Sequence, residues 1–388
     1  MRRVKKGRKS GRILDTRAAF RGELPLMLCV ICLAIYGTVM VASAGAPYAE
    51  ARYGDGAYFI KRQIAWVIIG FAVMLGASRL PIRAVEKYSV FAYALTLGLL
   101  GLTLVIGTVG NGAQRWIAIG PITIQPSEIA KLTLILMLAR YFSSQGERAT
   151  LTRNKRESFF YGTLFPCLIL VAPILLVMLQ HHLSCIIILG LLGLLIIVCA
   201  GIRLGYILGF IGAGAVFVTC FALFTDYTKD RITVWRDPEA YKLTGGWQTL
   251  QGLMAIGSGG IFGKGLGSGE LKHCYVSEPA NDMIFAILCE ELGLIGAVCA
   301  LLLFGALVLR GYKIAMRSEG IFPRLVALGI SFKMAIQVLL NVAVVTNTIP
   351  NTGISLPLFS YGGSSLIMVF FEMGILLSIS RESRLGGR

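Results

Sequence analysis

"DMIFAILCEELGLIGAVCALLLFGALV", residues 282–308, decides the fold. Its only charges are Asp282, Glu290 and Glu291. The run is longer than the roughly 20 residues needed to cross a hydrocarbon core about 30 Å thick. Nine further runs of similar character surround it: 24–45, 58–78, 88–108, 126–142, 159–179, 183–200, 204–224, 325–346 and 361–380. The expected architecture is therefore an all-α integral membrane protein of about ten transmembrane helices. A basic tail (1–23) precedes the membrane domain (24–380), and a short tail (381–388) follows it.

Composition agrees. The chain has 388 residues, 56% of them hydrophobic and only 15% charged, with a net charge of +17. Soluble domains carry about 25% charged residues. This balance excludes a soluble enzyme, a disordered chain and a nucleic-acid binder, because the positive charge sits in short clusters between apolar runs. With the N-terminus cytoplasmic, 25 of the 37 Lys and Arg residues fall in cytoplasmic segments. That asymmetry supports an even number of spans with both termini cytoplasmic. The tail is read as a solvated topology anchor in preference to a binder of anionic lipid or cytoplasmic division proteins, and the first apolar run, too long for a signal-peptide core, as an uncleaved helix. Eight of the nine cysteines lie in apolar runs, where cysteine is a small hydrophobe. Cys29 and Cys32 have CxxC spacing but lack the polar, accessible setting of redox chemistry.

The seventh and eighth spans are joined by an outer segment, 225–281, far longer than ordinary connections. Its Trp and Tyr content points to a folded, functional loop. Within it, "AIGSGGIFGKGLGSG" (255–269) fails the phosphate-loop pattern, since Gly265 follows Lys264 where Ser or Thr is required. It reads either as a close-packed glycine loop or as backbone amides approaching an outer-face phosphate beside Lys264.

Ionisable residues beside the spans are the sharper signal, because placing them in a bilayer costs at least about 2.5–3.5 kcal/mol. Glu128 and Lys131 open the fourth span three residues apart, as a structural clasp or a functional pair. Lys333 and Glu372 lie within the last two spans. Asp282 stands where the long loop meets the eighth span, with Glu278 four residues before it and Glu290 and Glu291 deeper in. It reads either as a helix N-cap or as a partly buried proton acceptor. Arg115, Arg231, Arg236, Lys264 and Lys272 are outer-side cations able to meet phosphates. Pro350, Gly353 and Pro357 break the helix in 347–366, so this stretch is expected to border an outward-facing apolar cavity suited to a lipid-linked substrate. His181, His182 and His273 form no metal-ligand spacing, and no hydrolase or zinc motif occurs.

Four long segments carry a resemblance: "NGAQRWIAIGPITIQPSEIAKL" (111–132), "WRDPEAY" (235–241), 247–297 and "NTIPNTGISLPLFSYGGSS" (347–365). From about residue 105 to 380 the chain resembles the SEDS family (shape, elongation, division and sporulation), whose branches are FtsW, RodA and SpoVE; "GKGLGSGELK" favours the FtsW/SpoVE branch. The resemblance implies ten helices and a glycosyltransferase that polymerises lipid II into peptidoglycan. It also implies a class B penicillin-binding protein as partner, in the bacterial cytoplasmic membrane. "VSEPANDMIFA" matches the family's pattern around its essential loop aspartate, placing that residue at Asp282 and the pattern's Glu at Glu278. Glu128 and Lys131 match the QPSE-x-x-K pair. The chain departs at Val276-Ser277 and Ala280-Asn281, and at "QHHLSC" (180–185), where His182 replaces an Asp. No cofactor is required by the sequence, and a divalent cation could assist at the diphosphate. Two rival readings share these features: a lipid II flippase, and a non-catalytic scaffold for the transpeptidase.

Overall fold

The computed structural model describes residues 23–110, 113–120, 122–150, 155–202, 209, 212, 214, 226–273 and 279–386. Eleven helices are labelled here. They are α1 (Leu24–Tyr53), α2 (Tyr58–Ala77), α3 (Ile82–Ile106), α4 (Pro126–Thr150), α5 (Phe160–Leu179) and α6 (Leu183–Cys199). After the long loop begins come α7 (Asp226–Arg236), α8 (Trp247–Gly259), α9 (Ile284–Arg317), α10 (Ile321–Val345) and α11 (Gly363–Gly386). Among the described residues, seven helices are long and apolar enough to cross a membrane: α1, α2, α3, α5, α9, α10 and α11. The apolar α6 is shorter. The protein is a multi-pass, all-α membrane protein, and the expected seventh span, 204–224, lies outside the described residues apart from Gly209, Gly212 and Gly214.

Apolar residues outnumber what a protein interior can hold, so many point outward. On α1, Leu26, Val30, Leu33, Gly37, Met40 and Ala44 face inward while Leu28, Ile35 and Val39 are exposed. In water that outer stripe would be a liability; facing lipid it needs no partner. The α10 helix is the hub, packed against α9, α4, α6 and α11, and 67% of its most apolar stretch is buried. The α4 helix carries Glu128, Lys131 and Arg140, and its first half is shielded by α3, α6 and α10. Protein, not lipid, receives its charges.

Three details depart from the apolar pattern. The α1 helix continues two turns past residue 45, through Pro47, to a left-handed Gly54. Between α3 and α4 the chain forms a small antiparallel sheet: β1 (Thr108–Gly110), β2 (Ala113–Ile119) and β3 (Ile122–Ile124). Its register pairs Thr108 with Trp116 and Ile117 with Ile124. Finally, α9 is broken at Gly293 (φ 64°, ψ −163°). Such a break frees backbone groups that lipid cannot satisfy. The glycine loop satisfies them: Lys264 and Gly265 donate their N–H groups to the carbonyls of Glu290 and Glu291, each at 2.9 Å. In return Leu294 and Ile295 donate to Gly260 and Ile261, at 2.9 and 3.2 Å. A side chain at Gly293 would collide with Gly263 and Ile261, and one at Gly263 with Glu291. The glycines of 255–269 thus form a close-packed brace across a broken helix.

Candidate active site

Asp282 sits in the turn that leads into α9. The N-cap of α9 is Met283, with no side-chain cap bond, so capping does not account for Asp282. Its backbone is pinned instead. Asn341 on α10 donates from Nδ2 to the Asp282 carbonyl at 3.0 Å and to that of Ile354 at 2.6 Å. Ser360 Oγ donates to the neighbouring Asn281 carbonyl at 2.6 Å, and the Tyr361 N–H to Ala280 at 2.8 Å. The partly exposed side chain is met by Gln248, whose Nε2 lies 3.4 and 3.5 Å from the two carboxylate oxygens.

Gln248 is itself oriented. It opens α8, and its Oε1 accepts from Asn351 Nδ2 at 3.3 Å. The carbonyl of Asn351 accepts from Arg231 of α7. Trp235 Nε1, one turn further along α7, donates to the Asn347 carbonyl at 2.9 Å. The two described helices of the long loop are therefore fastened to the 347–362 segment, and the fastening ends at Asp282. The backbone of Gly353 (φ 68°) passes so close that a Cβ there would lie 3.5 Å from Asp282 Oδ2.

Beneath this ring lies a column of buried charge. Lys131 Nζ is 2.7 Å from Glu128 Oε1, and Lys333 Nζ is 2.6 Å from Glu372 Oε1. On α10, Lys333, Gln337 and Asn341 recur every four residues, so one polar stripe links the lower ion pair to Asp282. A cavity of about 10 Å³, lined by Glu128, Gln337, Ser355, Ser360 and Ser365, lies along it. It holds about one water and no lipid chain. The wide cavity expected beside 347–366 is not this space.

The remaining expected residues fall in separate places. Arg115 on β2 donates to the His181 carbonyl at 2.7 Å, and Arg236 is exposed at the end of α7. Lys264 and Lys272, expected as outer-side cations able to meet phosphate, are each paired with a carboxylate. Lys264 Nζ lies 3.2 Å from Glu290 and 3.6 Å from Glu270, and the Glu290 hydrogen bond raises its pKa above that of an ordinary lysine. Lys272 is buried and lies 2.6 Å from Glu291, which also accepts from Ser43 at 2.7 Å. Two buried carboxylates beside a helix break demand counter-charges, and these lysines supply them. Glu278 lies outside the described residues. Among the described residues no three His, Cys, Asp or Glu side chains gather as a metal centre. His182, buried between β2 and α4, has its pKa pushed down to about 3, first by burial and then by Arg115 and Lys131.

Gln248, Asn341 and Asn351 were not singled out from the sequence. Each is neutral, so charge in an apolar run does not mark it. The signal lay in "WQTLQ", "LLNVA" and "IPNTG", where an amide interrupts an apolar or turn segment.

Chemically, the arrangement offers one carboxylate in a fixed turn, flanked by amides, at the end of a membrane helix. Comparison with known proteins places it. A family model described as "Cell cycle protein", covering FtsW, RodA and SpoVE, matches residues 24–385. The chain is 36% identical over 377 residues to a probable peptidoglycan glycosyltransferase FtsW of Geobacter metallireducens, covering 96% of this chain and 98% of that one. It is 38% identical over 366 residues to stage V sporulation protein E of Bacillus subtilis, covering 93% and 98%. Among solved structures it is similar to one reporting structural coordination of polymerization and crosslinking by a peptidoglycan synthase complex. That match has a TM-score of 0.76 and 26% identity, covering 92% of this chain and 97% of that one. The rod shape determining protein RodA of Thermus thermophilus gives a TM-score of 0.67 and 27% identity, covering 92% and 96%. With a family match that spans nearly all of the membrane domain, the chain belongs to the FtsW/RodA/SpoVE family, on its FtsW/SpoVE branch.

Proposed function

We propose that this protein is a peptidoglycan glycosyltransferase that polymerises lipid II, with Asp282 as its general base. The observation that carries the reading is the setting of Asp282: a partly exposed carboxylate on a turn fixed by Asn341 and Ser360, with Gln248 beside its oxygens. Asp282 takes the proton from the 4-hydroxyl of an acceptor lipid II. The freed oxygen bonds to the anomeric carbon of the donor, the bond from that carbon to the diphosphate breaks, and undecaprenyl diphosphate leaves. The proton then passes from Asp282 to water. General-base assistance of this kind contributes about 10²–10⁴-fold.

Arg231, Arg236 and Arg115 stabilise the leaving diphosphate, Arg115 while donating to the His181 carbonyl and Arg231 to that of Asn351. Glu128 and Lys131 act from below, shaping the floor under the 355–360 turn. A divalent cation would act at the same diphosphate, and its removal by chelator tests that part. The partner is a class B penicillin-binding protein, which crosslinks the strands. The protein sits in the cytoplasmic membrane with both termini inside and the Asp282 site outside, at the septum when it serves division.

The test is polymerisation of labelled lipid II by purified protein, with and without a class B penicillin-binding protein, comparing wild type with Asp282→Asn on a gel that resolves glycan strands. Strands from wild type only are expected. A variant that polymerises normally removes Asp282 from the mechanism. Well-folded wild type that makes no strands with its partner, yet moves lipid II across vesicles, turns the reading to a flippase. Wild type inactive in both assays but bound to the transpeptidase turns it to a scaffold.

A further inference from the structure

The outer end of α1 runs beyond the apolar stretch that ends at residue 45. The helix continues to Tyr53, and α2 begins at Tyr58. Five charged side chains lie between residues 50 and 62, so this end stands in water or among headgroups and not in hydrocarbon. The turn is fixed. Gly54 donates its N–H to the Glu50 carbonyl at 3.0 Å, Gly56 donates its own to the Glu50 carboxylate at 2.7 Å, and Lys61 lies 2.8 Å from Asp55.

Aromatic rings are stacked on it. The rings of Tyr53 and Tyr58 lie 4.1 Å apart with 12° between their planes, and the Arg62 guanidinium lies over Tyr58 at 4.5 Å. Tyr53 is therefore the outer plane of a three-layer stack, and it is 47% exposed. Phe59 joins the stack to the turn that carries Asp282. Its ring meets Tyr53 edge-on at 6.1 Å and Tyr361 edge-on at 4.7 Å. The Tyr361 N–H in turn donates to the carbonyl of Ala280, two residues before Asp282. The exposed plane is thus continuous with the candidate active site.

A flat aromatic face with a polar rim is a surface that a sugar ring fits. The C–H face of a pyranose lies against the ring, and its hydroxyls turn to donors and acceptors at the edge. Such a rim is present: the exposed Arg52 lies 3.2 Å from the Tyr48 hydroxyl and also acts on the Tyr53 phenol. Aromatic side chains that only anchor a helix at the bilayer surface need neither a common stack nor a path to Asp282. We propose, resting on the polymerase reading, that Tyr53, backed by Tyr58 and Arg62, is a saccharide subsite. It holds an N-acetylhexosamine ring of the glycan strand, beyond the sugar that reacts. Holding the strand there keeps it at Asp282 between additions, so loss of the subsite shortens strands.

The test uses full-length protein in phosphatidylcholine nanodiscs, with a class B penicillin-binding protein added for polymerisation. Binding of chitotetraose, the β-1,4-linked tetramer of N-acetylglucosamine, is measured by calorimetry, and strand length is read on a gel from labelled lipid II. Tyr53→Ala is expected to weaken chitotetraose binding about tenfold and to shorten the strands. Tyr53→Trp, which keeps a flat face, is expected to retain both. Should Tyr53→Ala fail to fold, Tyr53→Ile, which keeps bulk without a flat face, decides in its place. Wild type that makes strands without binding chitotetraose, or Tyr53→Ala that leaves either readout unchanged, overturns the subsite and leaves the polymerase reading standing. Wild type that makes no strands yet binds chitotetraose through Tyr53 overturns the polymerase reading and leaves the subsite. If brominated lipid quenches Tyr53→Trp beyond wild type while chitotetraose binding ignores Tyr53→Ala, the ring belongs to the bilayer surface and the subsite is overturned.

Discussion

Asp282 and the pair Glu290–Glu291 belong to one stretch of chain, eight and nine residues apart, yet their surroundings are opposite. Glu290 and Glu291 are fully buried, with lysine ammonium groups at 3.2 and 2.6 Å and backbone N–H groups from Glu270 and Gly267 at 2.9 and 3.1 Å. Asp282 is partly exposed, and the amide of Gln248 approaches it only to 3.4 Å. Glu290 Oε1 and both oxygens of Glu291 are thus fastened by lysines, a serine and backbone amides. Asp282, by contrast, reaches the surface, where a substrate can meet it. The same side-chain chemistry is thus a fastener in one place and, in the proposed mechanism, a proton acceptor in the other.

The comparison breaks most sharply at Asp282. Asp282→Asn is expected to lower lipid II polymerisation by about 10²–10⁴-fold while the thermal midpoint stays near that of wild type. Retained activity would erase the distinction from the reactive side. On the fastener side, Lys272→Met is expected to destabilise the fold by about 3–5 kcal/mol, because it strands a buried Glu291. The double change Lys272→Met/Glu291→Leu should recover much of that loss, which thermal unfolding in detergent can follow. No recovery would mean that the pair does more than neutralise itself.

Gln248→Ala sharpens the contrast. It should lower polymerisation by about tenfold, a loss near 1.4 kcal/mol, in line with a modest hydrogen bond to a charged group. It should also shift the acid limb of the pH–rate profile, whereas a merely structural role would lower the rate evenly at all pH values. An effect of similar size concerns His182, a third arrangement in which a buried group stays neutral. Its folded pKa, about 3, lies below the ordinary 6.5, so the unfolded chain binds the extra proton between those values. Stability contributed by the neutral ring is whole above pH 6.5 and is lost as pH falls from there towards 3. The loss is roughly 1 kcal/mol per pH unit at first. Unfolding midpoints measured from pH 7 to 5 should fall less steeply in His182→Gln than in wild type.

Much of this was legible from the chain. The apolar runs mark the helices because nothing else in a protein needs so many unbroken apolar residues, and Asp282 stood out as a charge at the end of one. The break at Gly293 was not legible, because 284–309 is apolar on both sides of it and hydropathy does not register a change of backbone direction. Its trace was the "EELG" at 290–293, two acids with a glycine, which reads as a break only once the partner loop is known. The ion pairs of Lys264 and Lys272 were not legible for a related reason. Their partners lie 26 and 19 residues away, and nothing local announces an ion pair across a loop. The strands at 108–124 hid behind the end of a helix, where "RWIAI" alternates too briefly to compete with its apolar neighbours.

The brace at Gly293 also bears on how the chain is made. Residues 260–272 are synthesised before α9, so both lysines have already left the ribosome when Glu290 and Glu291 emerge. An α9 segment expressed alone would carry two bare acids into the bilayer, and each would oppose insertion. In its own chain the segment arrives after its counter-ions, and the order of translation becomes part of what lets the helix enter.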